Sequence, residues 1–75
     1  MTLIQAKTGQ IVRIMSFNGG IGLEHKLRQL GLYPGDQARV VRHAPLGGPI
    51  MVEVEGRSIA LGRGVASKVI VETNG

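Results

Sequence analysis

The chain has 75 residues, no cysteine, and nine Lys or Arg against five Asp or Glu, for a formal net charge of +4. A length this short holds one domain, residues 1–75, and the lack of thiols excludes disulfides and thiolate zinc sites, so apolar packing must hold the core. No apolar run approaches the roughly 20 residues that span a bilayer, and the first ten residues lack the charged-then-apolar pattern of a signal peptide. The expected location is therefore the cytoplasm, with no direct membrane insertion. Apolar residues make up 43% of the chain, which is enough to fill a small core. Phe17 and Tyr33 are its only aromatic residues, and its twelve glycines suit a tightly turned β fold better than a helical bundle. The positive charge permits an acidic partner, a nucleic acid or an anionic membrane surface. The basic residues are nonetheless spread out with no run of three, which reads most simply as a solvated surface.

In chain order, Thr2 to Lys7 is an entry segment whose Leu3 and Ile4 tuck onto the core, followed by a turn at Thr8-Gly9. Ile11 to Phe17 is the first strand. Val12 and Ile14 alternate there with Arg13 and Met15, leaving one face aliphatic. Asn18-Gly19-Gly20 breaks the strand, and a helix starts at Ile21 or Gly22. Leu23, Leu27 and Leu30 recur at i, i+4 and i+7, one stripe of that helix. Gly31 stands at the left-handed cap position, and Pro34-Gly35 forms a turn.

Asp36 to His43 is the second strand, with Ala38, Val40 and Arg42 on one side and Arg39, Val41 and His43 on the other. Ala44 to Pro49 is a loop bracketed by two prolines. Ile50 to Glu55 is the third strand, Glu55-Gly56 a tight hairpin turn, and Arg57 to Leu61 the fourth strand, with Ile59 and Leu61 inward. Gly62 to Ser67 is a turn, at most one turn of 3₁₀ helix. Lys68 to Glu72 is the last strand, and Thr73-Asn74-Gly75 a frayed tail. The fold class is thus mainly β, five short strands with one short helix inserted between the first two. Closing the sheet into a small, strongly bent barrel would bury its apolar face and remove exposed edges, with the helix leucines capping one open end.

Three pieces now recur in order: a Gly-rich entry to a short helix ending Leu30-Gly31-Leu32-Tyr33-Pro34-Gly35; Pro45-Leu46-Gly47-Gly48-Pro49 before a strand; and Gly56 to Leu61 followed by Ala66 and Val69-Ile70-Val71. Over residues 3 to 72 the chain resembles the FeoA family of ferrous iron uptake accessory proteins. The resemblance implies an SH3-like five-stranded barrel with an inserted helix. It also implies docking on FeoB, a ferrous iron permease with a cytosolic GTP-binding domain, which would recruit the chain to the inner face of the plasma membrane. Gly62-Arg63-Gly64-Val65 departs from the charged pair the family carries at that turn. The same module occurs at the C-terminus of some metal-dependent repressors, but this chain has no DNA-binding helices.

For catalysis the chain offers no nucleophile elbow, no P-loop and no carboxylate pair placed for acid–base work; Glu53 and Glu55, beside Arg57, read as a solvated edge. The reading is a non-enzyme. For metal, Glu24 and His25 are neighbours on a helix and project about 100° apart, and His43 comes from another element, so these read as exposed side chains and no metal or cofactor site is assigned. For partner binding, two surfaces stand out. One is the apolar, flexible loop tip of Leu46, Gly47, Gly48 and Pro49, since small barrels hold peptides with such loops. The other is the exposed helix face of Lys26, Arg28 and Gln29. Met15 and Met51, opposite the aliphatic strand faces, would form an adaptable patch if exposed together. Gly31, Pro34, Gly35, Gly48 and Gly56 serve backbone geometry. The alternative function is a small basic barrel that binds nucleic acid, although two aromatics give it little to stack bases on. A homo-oligomeric scaffold is a third reading.

Overall fold

The computed structural model describes residues 1–73. A 3₁₀ helix at Leu3–Gln5 precedes β1 (Ile11–Phe17), α1 (Ile21–Gln29), β2 (Gln37–His43), β3 (Ile50–Val54), β4 (Arg57–Leu61), α2 (Arg63–Ala66) and β5 (Val69–Thr73). The strands form one antiparallel sheet in the order β4-β3-β2-β1-β5. Alternation within each strand sends Val12, Ile14, Ala38, Val40, Val52, Val54, Ile59, Leu61, Val69 and Val71 to one buried face.

The five strands and inserted helix fit the small SH3-like architecture implied by the resemblance, but the sheet does not close. β4 and β5 are its two ends and do not pair. Between them in sequence lies α2, an α-helical turn rather than the expected turn or 3₁₀ helix: Ala66 N–H donates to Gly62 O and Ser67 N–H to Arg63 O, each at 2.9 Å. Its Ala66 is fully buried, as are Leu3 and Ala6 of the entry segment. These side chains join the one core cluster, sealing by packing what the sheet does not seal by hydrogen bonds. Thr73 belongs to β5 rather than to a frayed tail; the rest of that expected tail, Asn74 and Gly75, lies outside the described residues.

Two bulges change which side chains face inward. In β2 the pairing with β3 shifts between Val40 and Arg42. The extra residue reverses the alternation, so His43 rather than Arg42 turns inward. His43 is half-buried, with Nε2 2.8 Å from the Ala6 carbonyl oxygen, which corrects the expectation of an exposed strand-end histidine. A second shift between Ile14 and Ser16 of β1 likewise brings Phe17 against the core.

The end of α1 departs from the leucine stripe. Gly20 is its N-cap. Leu27 is fully buried, Leu23 half-buried, and Leu30 is 38% exposed. Leu32 N–H donates to Leu27 O at 2.9 Å and Gly31 N–H to Arg28 O at 3.0 Å, with Gly31 at φ +89°. This is a Schellman cap, which folds the second residue past the helix over the last turn. Leu32 thus becomes the buried partner of Leu27, and Leu30 is left at the surface. At the following turn Pro34 and Gly35 take the two central positions, Gly35 at φ +95°, with Asp36 N–H donating to Tyr33 O at 3.1 Å.

Candidate partner-binding surface

Two backbone hydrogen bonds shape the glycine-rich β2–β3 connection. Ala44 N–H donates to Pro49 O at 3.0 Å and Gly48 N–H to Pro45 O at 3.1 Å. Leu46 (φ +60°) and Gly47 (φ +72°) are the central pair of that inner turn, the mirror-image geometry that suits hairpins. Glycine is also needed at Gly48, where an added Cβ would sit 2.9 Å from the Ala44 Cβ and 3.1 Å from the Pro45 carbonyl oxygen. Leu46 is the odd member. It is a branched apolar residue in the left-handed region, which costs about 1–2 kcal/mol, and its side chain is 104% exposed. The positive φ at Leu46 and at Glu55 (φ +51°) escaped the sequence, where only the glycines signal such turns. The dipeptide Leu-Gly at a hairpin tip was the available sign.

Lys26, Arg28 and Gln29 all lie exposed on α1. Beside them Ile21, 74% exposed, lines a shallow depression with Glu24, His25 and Arg28. The two candidate surfaces do not meet. α1 enters β2 at Gln37 and the loop leaves it at His43, so they sit at opposite ends of a strand of seven residues, a length of about 20 Å. Met15 and Met51 are separated in the same way. Met51 neighbours Arg42 and Ala60, whereas Met15 lies beyond the Arg13–Gln37 pair at the other end, so the shared methionine patch does not form.

Sequence reading missed Arg57 and Arg63. Arg57 Nη2 donates to the Gly31 carbonyl oxygen at 3.1 Å, and the Arg63 side chain runs under the loop tip, its Cδ 3.9 Å from where a Cβ on Gly47 would stand. The one ion pair among the described residues joins Arg39 to Glu53 at 3.5 Å, so Glu53 belongs to Arg39 rather than to Arg57. Among the described residues, no three His, Cys, Asp or Glu side chains gather to hold a metal ion, and no helix is long and apolar enough to cross a membrane.

A family model described as the FeoA domain matches residues 1–73. The chain belongs to the FeoA family. Within it, a protein of Methanocaldococcus jannaschii described as Fe(2+) transport protein A is 34% identical over 67 residues, covering 89% of this chain and 79% of that one. A crystal structure of an iron uptake regulatory protein, FeoA, superposes with a TM-score of 0.86 at 30% identity, over 97% of this chain and 95% of the other. The manganese-activated repressor ScaR also shares the fold, with a TM-score of 0.89 at 24% identity, over 99% of this chain and 35% of the repressor. That last likeness is one of fold alone.

Proposed function

We propose that this FeoA-family chain is an accessory protein of ferrous iron uptake that docks on the FeoB permease through protein–protein contacts. Its named relatives in iron transport support the setting. The observation that carries the docking reading is Leu46: an apolar side chain held wholly in solvent, at a backbone geometry leucine disfavours. The left-handed backbone costs the isolated chain free energy, and the solvent-facing side chain is placed to be buried against a partner. Leu46, Gly47, Gly48 and Pro49 form the primary contact, with Lys26, Arg28 and Gln29 as a second. The chain works in the cytoplasm, drawn to the inner face of the plasma membrane by the permease. It acts by binding alone: preferring one state of the permease shifts that equilibrium without catalysis or a bound cofactor.

The test is a titration of isotope-labelled chain with the cytosolic GTP-binding domain of FeoB from the same genome, with an RNA oligonucleotide as control. Amide shifts gathered on Leu46 to Pro49 are the expected result. No binding at micromolar concentrations would overturn docking on that domain. Shifts with RNA alone, steeply weakened by salt, would replace the reading with nucleic-acid binding.

A further inference from the structure

The two ends of the sheet are not alike. The outer edge of β5 is occupied: Val71 N–H donates to Met1 O at 2.7 Å, the Met1 ammonium donates to Val71 O at 3.2 Å, and Thr2 bridges to Ile70. Among the described residues, no strand pairs with the outer edge of β4. β3 and β4 join through the two-residue turn Glu55-Gly56, both at positive φ, with Val54 opposite Arg57. In such a hairpin the closing pair is hydrogen-bonded and the bonded pairs then alternate. Arg57, Ile59 and Leu61 therefore bond to β3, while Ser58 and Ala60 each aim an N–H and a C=O away from it. The described residues give them no backbone partner. Neither side chain obstructs an approaching strand; both are small and exposed.

This edge also spans the gap between the two candidate docking surfaces. At one end Arg57 reaches Gly31, the cap of α1; at the other, Leu61 lies opposite Ile50 at the root of the loop, with Arg63 beneath Gly47. Arg57 and Arg63 flank the edge, and neither has a carboxylate within ion-pair distance among the described residues. No acidic residue lies on β4 itself.

We infer that the bare edge of β4 binds an extended, acidic peptide segment of the partner, which adds to the sheet as a further strand through Ser58 and Ala60 and sets its carboxylates toward Arg57 and Arg63. The inference rests on the docking reading and deepens it. Backbone pairing supplies the hold, and the flanking arginines supply the preference for acidic sequence. A second copy of the chain is a poorer occupant, because two copies would each bring a net charge of +4.

The probe is the peptide acetyl-Glu-Val-Glu-Val-Glu-amide, titrated into labelled chain, with a Lys-for-Glu peptide as the charge control. The expected result is amide shifts and slowed hydrogen exchange centred on Ser58 and Ala60, with little binding of the Lys peptide. N-methylating the amides of the acidic peptide on its bonding edge should weaken binding about tenfold or more, and this leaves the chain unaltered. Ser58→Pro should do the same, since its lost N–H is not one that β3 uses. Equal binding of the Lys peptide, indifference to N-methylation, or Ser58 and Ala60 shifts that follow the chain's own concentration without peptide would each overturn the proposal, the last in favour of a second copy. FeoB domain that binds Ser58→Pro as tightly as the unaltered chain would also overturn it while leaving docking intact. Domain that binds neither removes the docking reading, and the peptide then decides the edge alone.

Discussion

The Arg57 guanidinium lies across Gly31, donating from Nη2 to its carbonyl oxygen at 3.1 Å, and a methyl group built on Gly31 would collide with it. Gly31 is thus favoured by its φ of +89°, and any side chain there would displace the Arg57 guanidinium from its hydrogen bond. Gly31→Ala should cost more than the about 1–2 kcal/mol of a left-handed alanine. Combined with Arg57→Ala, the loss should be smaller than the sum of the two single variants, because the collision is gone. A double-mutant cycle by urea denaturation measures this; strict additivity would mean that the arginine simply swings aside.

The leucines of α1 should separate sharply. Leu27→Ala is expected to cost about 2–5 kcal/mol, and Leu32→Ala a similar amount, as fully buried partners across the helix cap. Leu30→Ala should cost under about 1 kcal/mol. Thermal denaturation of the three variants checks the order.

That order was only half legible in the sequence. The heptad-like spacing identifies Leu27 correctly, but it projects an ideal helix through Leu30 and cannot see that the cap reverses the chain at Gly31 and buries Leu32. The same limit explains the strands. Their positions follow directly from the alternation of Val12 with Ile14 or Ile59 with Leu61, whereas the bulges that turn His43 and Phe17 inward leave no mark in composition. Closure of the sheet is not needed for a related reason: an apolar face demands cover, and the packing of Leu3, Ala6 and Ala66 supplies it without β4 pairing to β5. Of the candidate surface, the loop and helix residues were visible as residue types. The contacts of Arg57 and Arg63 depend on long-range packing and were not.

At the loop tip stability and binding should trade against each other. Leu46→Asn replaces a leucine by a residue that tolerates positive φ and should stabilise the fold by up to about 1 kcal/mol while weakening FeoB binding. Glu55→Asn, at the other positive-φ turn residue, should stabilise the fold without weakening binding. Paired melting curves and titrations decide the matter; Leu46→Asn with undiminished affinity would remove the loop from the interface.

The Arg39–Glu53 pair should matter little. Its side chains are 50% and 41% exposed and meet at 3.5 Å, so Arg39→Gln is expected to change stability by under about 1 kcal/mol. Urea midpoints at low and high salt would show any contribution fading as salt screens it.

The strand order carries a consequence for how the chain comes off the ribosome. β2, β3 and β4 each pair with the strand made just before, so that meander can assemble as it emerges. β1, however, lies between β2 and β5, and its second neighbour is the last strand of this sheet to be made. Until Val69–Thr73 clears the exit tunnel, the nascent meander presents β1 as a naked edge, with Val12 still short of Thr73 and Ile14 of Val71. Such an edge invites mispairing with other unfinished chains. The sheet therefore gains its full protection in one late step, when its last strand docks against its first.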